Sequence, residues 1–182
     1  MDPVNEMHAA VITYFAAEKK ESLLFLMTGG AAIAASLWFW ITGSPLRGMG
    51  WPLVAVALIQ LVVGWTVYSR TDRQARDLHT LLAKDPTSCV RAEVPRMETV
   101  QKNFRIYKAI EIVLLAAGLA GMFFLRDRQA LYAASLGLAL QAGLMLVFDL
   151  VAERRADVYV EQIRRLGWRC RVVGASSPRD NI

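Results

Sequence analysis

The second half of this sequence repeats the pattern of the first half. With an offset of 81 positions (141 − 60), residues 57–78 align with 138–159 without a gap, and Gln60 meets Gln141. Upstream an offset of 89 (104 − 15) aligns Phe15 with Phe104, Lys19 with Lys108, Leu26 with Leu115 and Gly29 with Gly118. Each repeat runs from a charged stretch through an apolar span, a short turn and a second span to another charged stretch. This order predicts two similar helical hairpins in a membrane.

Four apolar blocks account for the membrane prediction. Hydrophobic residues make up 55% of the chain while 20% of residues are charged, so the two kinds must be segregated along the sequence. The blocks cover 22–42, 52–69, 109–125 and 130–151, and only Glu111 and Asp149 bring charge into them. At a rise of ~1.5 Å per residue each block can cross a hydrocarbon core of roughly 30 Å, the shorter two with a turn borrowed from their flanks. We therefore predict four membrane-spanning helices.

The basic residues predict how the spans are oriented. Lys and Arg are concentrated in the connection 70–108 and after residue 151, whereas the two turns between spans contain only Arg47, Arg126 and Arg128. Basic residues near a span resist translocation. We expect both termini and the central connection in the cytoplasm, the turns on the far side, and the protein in the inner membrane of a bacterium.

The charged stretches beside the spans are also predicted to be helical. Apolar residues recur there at spacings of three and four, as in Val4, Met7, Val11, Tyr14 and Phe15. This periodicity predicts helices over 5–42, 52–84, 95–125 and 129–166, with Pro95 in the first turn of the third helix. The predicted fold is an all-α, four-helix up-down bundle of two parallel-repeat hairpins whose helices extend into the cytoplasm. Its parts are the first hairpin 1–84, a cytoplasmic linker 85–94, the second hairpin 95–166 and a flexible basic tail 167–182.

Two glutamines are the first candidates for a functional site. Gln60 and Gln141 lie near the middle of the second and fourth spans, at equivalent positions of the repeat. An amide that faced lipid would leave its hydrogen-bonding groups unsatisfied, so both are expected to face inward. They either join helices, through a bond to each other, or line a polar path.

Ionisable residues form a second candidate set at the cytoplasmic ends of the spans. Glu111 and Asp149 lie inside spans, where an acid is a default pointer to function. Lys108 and Lys19 reach a comparable depth. One interpretation is an interfacial ion pair of Glu111 with Lys19 or Lys108, which anchors the helices. The other is a site or conduit formed by these groups and the two glutamines.

Other chemistry is sparse. The histidines His8 and His79 and the cysteines Cys89 and Cys170 show no metal-ligand spacing, and no nucleotide or nucleophile motif is present. We expect no metal, no cofactor and no nucleic-acid partner. The basic cluster of Arg164, Arg165, Arg169 and Arg171 around Trp168 is suited to an anionic lipid surface.

Two classes of function fit this pattern. The preferred one is a structural, accessory or partner-interaction role, in which the cytoplasmic helices contact a protein partner or a second copy. The alternative is a small oligomeric channel or transporter that uses Glu111, Asp149, Gln60 and Gln141. An enzyme is not expected, because no nucleophile, base and orienting group can be assembled from these residues.

Overall fold

The computed structural model describes residues 3–175. Four long α-helices make up nearly all of this part of the chain: α1 (Pro3–Ile41), α2 (Gly50–Lys84), α3 (Pro86–Phe124) and α4 (Gln129–Ala175). A short 3-10 helix, Arg47–Met49, precedes α2. Each of the four helices is long and apolar enough to cross a membrane. The prediction of an all-helical protein with four long apolar helices is confirmed.

The helices associate mainly as consecutive pairs. Helix α1 packs along α2, and α3 packs along α4, while α2 and α3 contact each other far less. Early residues of α1 lie beside late residues of α2, as the contact of Lys19 with Asp72 shows, and Gln101 of α3 likewise contacts Asp157 of α4. The partners in each pair therefore run in opposite directions. The two pairs are joined by contacts of α4 with α1 and α2. A seam remains between α2 and α3, which contact each other less.

Helix α3 begins earlier than predicted. The segment 85–94, expected to be a linker, is helical from Pro86 onward, and Pro95 lies inside the helix rather than in its first turn. The reason is local. The Asp85 carboxylate accepts hydrogen bonds from the backbone N–H groups of Thr87 and Ser88, at 2.9 and 3.2 Å, and caps the new helix. Pro86 occupies the first turn, where its missing N–H has no intrahelical partner to lose.

Helix α4 continues beyond its predicted end at residue 166. It runs to Ala175, and residues 176–182 of the predicted tail lie outside the described residues. Trp168 is 17 residues past the last apolar block (168 − 151), which is about 25 Å of helix. Three arginines of the predicted lipid-binding cluster pair with glutamates instead: Arg164 with Glu98, Arg165 with Glu161 and Arg169 with Glu6.

Burial divides the helices into two halves. We call residues 3–21, 70–108 and 152–175 the charged half, and residues 22–69 and 109–151 the apolar half. The larger core lies in the charged half and includes Met7, Val11, Tyr14, Phe15, Leu78, Leu82, Cys89, Met97, Ala156, Tyr159, Val160 and Ile163. A smaller core near the turns contains Ala32, Met49, Leu53, Ala57 and Ala133. The predicted stripe of α1 is thus buried at Met7, Val11, Tyr14 and Phe15.

Candidate functional site

The two glutamines form a hydrogen-bonded chain in the apolar half. Gln141 donates from Nε2 to Oε1 of Gln60 at 2.6 Å, and Gln60 donates from Nε2 to Oγ1 of Thr28 at 3.0 Å. Both amides are buried. The chain links α1, α2 and α4, and it satisfies Oε1 of Gln60 and one N–H group of each amide. Thr28 was not anticipated, although a hydroxyl residue inside an apolar span was a usable signal.

Glu111 and Asp149 lie side by side and form a carboxyl pair. Both side chains are buried, and each is within hydrogen-bonding reach of the other across the α3–α4 contact. Two carboxyl groups can hydrogen-bond each other only while one of them holds a proton. Apart from Asp149, no donor among the described residues reaches Oε2 of Glu111. The structure thus brings together the two intramembrane acids of the predicted site.

The expected ion pair of Glu111 with Lys19 or Lys108 is absent from the described residues, and this prediction is wrong. Lys108 pairs with Glu153, which lies one turn beyond Asp149 on α4. Lys19 pairs with Asp72 on α2 at 2.7 Å. The antiparallel arrangement explains both pairings, because each lysine lies opposite a carboxylate nearer the charged half than Glu111.

A cavity of about 670 Å³ lies between the two helix pairs, along the seam of α2 and α3. Its walls are mostly apolar, with Val56, Ile59 and Val63 on α2 and Ile110 and Leu114 on α3. Ile59 on α2 and Ile110 on α3 are more than half exposed, so the cavity opens sideways between the two helices. A volume of this size falls within the ~300–1,000 Å³ of small-molecule sites.

Charged groups collect at one end of this cavity. The carboxylates of Glu18, Glu21, Glu111 and Asp149 line it together with the guanidinium groups of Arg70 and Arg155. Arg155 pairs with Glu21, and the hydroxyl of Thr71 donates to Glu18 at 3.3 Å. The carboxyl pair and Arg70 remain without such partners among the described residues. The sequence predicted Glu111 and Asp149 at a depth comparable to that of Lys19 and Lys108. It did not predict the cavity.

The charged half buries a polar cluster that sequence reasoning missed. Arg96 donates to both carboxylate oxygens of Glu93, at 2.5 and 2.7 Å, and the hydroxyl of Tyr159 donates to Glu93 at 3.0 Å. Tyr159 stacks on Tyr14 with ring centroids 4.1 Å apart. Burial raises the pKa of Tyr14 to about 12, so its phenol stays neutral. The i, i+3 spacing of Glu93 and Arg96 was a signal for this pair, obscured because Glu93 was assigned to a linker.

The two histidines, far apart in sequence, meet in the charged half. The rings of His8 and His79 stack with centroids 5.1 Å apart, and their Nδ1 atoms are 2.8 Å apart. Burial, followed by the charge of His8, lowers the pKa of His79. No group of three or more histidine, cysteine or acidic side chains in the described part of the chain is arranged to hold a metal ion.

Comparison of the chain with protein-family models, with curated proteins and with solved structures found no match. Only the chain's own geometry therefore indicates its function. That geometry comprises a tightly packed charged half, an apolar half held by small residues and amides, and a sideways-opening cavity that ends at a carboxyl pair.

Proposed function

We propose that this protein is a four-span protein of a bacterial inner membrane with a structural or accessory role. Two repeated hairpins form an up-down bundle, and both termini lie in the cytoplasm. The charged half extends from the membrane and presents a surface to a protein partner or to a second copy of the chain. The observation that carries this proposal is the dense core of the charged half.

The outward surface of the apolar half supports insertion in a bilayer. Large apolar side chains point outward on every helix, among them Met27, Val62, Val113, Phe123 and Val147. A soluble protein seldom exposes contiguous apolar surface on this scale. Exposed tryptophans occur at both ends of this belt, Trp38 and Trp51 near the turns and Trp65 near the charged half. Aromatic residues at both ends of a span are typical of membrane interfaces.

The packing of the charged half supports a rigid scaffold rather than flexible extensions. All four helices contribute buried side chains to one core there. The hydrogen bond from Tyr159 to Glu93 joins α4 to α3, and the Tyr14–Tyr159 stack joins α4 to α1, which fixes the register of these helices. A rigid surface loses little conformational entropy when it binds, which suits a docking or assembly role.

The furrow between α1 and α4 is the surface that we assign to the partner. A cavity of about 460 Å³ follows it, lined by Ala10 and Thr13 on α1 and by Val158 and Gln162 on α4. Val158 is exposed in the furrow. Ile12, which precedes Thr13 in the sequence, is also exposed. The second proposed partner is lipid. Exposed arginines at the expected edge of the bilayer, such as Arg105, contact anionic headgroups.

In-cell photocrosslinking tests the docking role. We expect a photoreactive amino acid at Val158 to give one discrete covalent adduct in intact cells, whereas the same amino acid at Thr80, exposed on the outer face of α2, gives none. Val158→Arg should prevent docking without changing the thermal stability, since the side chain is exposed. Equal labelling at both positions, or no adduct at either, would contradict the role.

Cysteine labelling tests the topology. Cys89 cannot report on sidedness because it is fully buried. A Cys89→Ala, Cys170→Ala background with one cysteine introduced at Ser44, Asp127 or Arg73 avoids this problem. An impermeant maleimide applied to sealed cells should label Ser44→Cys and Asp127→Cys but not Arg73→Cys. The opposite pattern would reverse the orientation.

One observation favours the alternative, a small oligomeric channel or transporter. The Glu111–Asp149 pair faces a cavity and has no basic partner, as expected of a group that exchanges a proton or a cation. Against this, Gln60 and Gln141 bond to each other, so these two amides serve a contact between helices. Cation or proton flux into liposomes that disappears in Glu111→Gln would favour transport over the structural role.

A further inference from the structure

The cavity along the α2–α3 seam is long and narrow in the direction of the helices. It extends from Val56 to Arg70 on α2 and from Val100 to Leu114 on α3. Each stretch covers 14 residue steps (70 − 56 and 114 − 100), or about 21 Å of helix. Most of this length is lined by aliphatic and aromatic side chains, and the charged groups lie at the end that faces the charged half. The cavity therefore matches an elongated amphiphile with one polar end.

The polar end has carboxyl and guanidinium groups whose hydrogen-bonding capacity is incompletely used. Glu111 and Asp149 receive no lysine or arginine partner, and apart from Asp149 no donor among the described residues reaches Oε2 of Glu111, a residue that is only 4% exposed. Arg70 is exposed and lines the same cavity, and among the described residues it makes no hydrogen bond or ion pair. One hydrogen bond between two carboxyl groups leaves other acceptor oxygens of the buried pair without donors, and a ligand with N–H donors would satisfy them.

We propose that this cavity binds a phospholipid whose headgroup carries a primary ammonium group. The ammonium binds the Glu111–Asp149 pair, the phosphate binds Arg70, and one acyl chain lies against the apolar wall formed by Ile59, Val63 and Ile110. This proposal rests on the proposed insertion in a membrane, which lets lipid enter sideways through the seam, but not on the docking role.

The chemistry of the pair selects among lipid headgroups. A primary ammonium offers three N–H donors to the carboxyl oxygens, whereas a quaternary ammonium offers none. An anionic headgroup without an amine would place its phosphate near Arg70 but leave the carboxyl pair facing further negative charge. A bare metal ion fits less well, because no third ligand of the usual kinds joins the pair in the part of the chain that the structure describes.

Native mass spectrometry of the full-length protein in detergent tests this proposal. The protein is titrated with phosphatidylethanolamine, phosphatidylcholine and phosphatidylglycerol of identical acyl chains, and with dodecylamine as a free lipophilic amine. We expect the ethanolamine lipid to bind about tenfold more tightly than the choline lipid, since charge-assisted hydrogen bonds distinguish the two. Dodecylamine should bind more weakly than the ethanolamine lipid, because it has no phosphate for Arg70.

Matched variants locate the site. Glu111→Gln should abolish the preference for ethanolamine over choline, whereas Glu161→Gln, at an exposed glutamate, should leave it unchanged. Arg70→Gln should weaken phospholipid binding without affecting dodecylamine. If Glu111→Gln does not fold, Val63→Trp fills the cavity from its exposed rim and should displace the bound lipid.

Three results would overturn the proposal. They are equal binding of the ethanolamine and choline lipids, a preference that survives both Glu111→Gln and Val63→Trp, and dodecylamine binding at the site without binding of the ethanolamine lipid. The labelling pattern of the Asp127→Cys protein is measured separately, so a failure of membrane insertion is distinguishable from a failure of this site.

Discussion

The same four helices are packed in opposite ways in their two halves. In the charged half, large side chains such as Leu82, Met97 and Tyr159 are almost completely buried. In the apolar half most buried positions are small or polar, as Ala57, Ala142 and Gln60 are, with Met49, Leu53 and Val56 as the larger apolar exceptions, while most large apolar side chains face outward. The helices thus change their inside-to-outside polarity along their length.

This difference follows from the solvent expected around each half. In water, burial of apolar area stabilises packing by roughly 25 cal/mol per Å². In lipid that driving force disappears between helices, so close approach of backbones and hydrogen bonds between helices must replace it. The chain Gln141–Gln60–Thr28 is a hydrogen-bonded contact of this kind. Gly118 permits close backbone approach, because it lies against the backbone of Ala139 on α4.

The largest expected effect tests the core of the charged half. Tyr159→Ala removes a side chain that is 2% exposed, its stack on Tyr14 and its hydrogen bond to Glu93. We expect the free energy of unfolding to fall by about 3–5 kcal/mol, as for other large-to-alanine changes in cores. Denaturant titration in detergent, followed by circular dichroism, measures this loss.

The matched change in the apolar half is Ile59→Ala. The Ile59 side chain is 59% exposed where the α2–α3 cavity opens, so in detergent without bound lipid its truncation should change the free energy of unfolding by no more than about 0.5 kcal/mol. A loss at Ile59 equal to that at Tyr159 would mean that the apolar half is held together by the same kind of core, and the comparison would fail.

Sequence periodicity was sufficient for the four helices and for most of the buried stripes. Charge and hydropathy alternate in long blocks, and such blocks determine helix type and length with little help from tertiary contacts. The contact between Gln60 and Gln141 was one of the two interpretations drawn from the repeated pattern, because equivalent polar positions on neighbouring helices can meet across an axis. The error at the start of α3 came from residues 85–88, which are typical of a turn but in which Asp85 caps the helix that begins at Pro86.

The partners of charged side chains could not be predicted in the same way. Glu111 was expected to pair with Lys108 or Lys19, but which groups meet depends on how far one helix is shifted along its neighbour. A shift of one turn exchanges Glu153 for Asp149 as the group opposite Lys108. The cavity has the same origin, since only the arrangement of the helix pairs leaves α2 and α3 apart.

An intermediate effect tests close packing in the apolar half. A Cβ atom added at Gly118 would lie 2.7 Å from the backbone nitrogen of Ala139 and 2.9 Å from its Cβ. Gly118→Ala should therefore push α3 and α4 apart and destabilise the protein by about 1–3 kcal/mol. The melting temperature in detergent measures the loss.

Gly30 supplies the control for this prediction. No atom lies within 4 Å of the position that its Cβ would occupy, so Gly30→Ala introduces no clash. The change should be neutral or stabilise α1 by up to about 1 kcal/mol, because alanine is the better helix former. Equal losses at the two glycines would show that close backbone approach does not hold α3 and α4 together.

The smallest expected effect is a pH dependence that comes from the histidine pair of the charged half. Burial, and then the charge of His8, hold the pKa of His79 below its ordinary 6.5. Between the lowered value and 6.5 the unfolded chain therefore binds a proton that the folded chain does not. This contribution to stability is complete above pH 6.5 and is lost as the pH falls below it. Melting temperatures from pH 8 to pH 5 should show a shallow decline that is reduced in His79→Gln, and a decline of the same size in that variant would assign it to other groups.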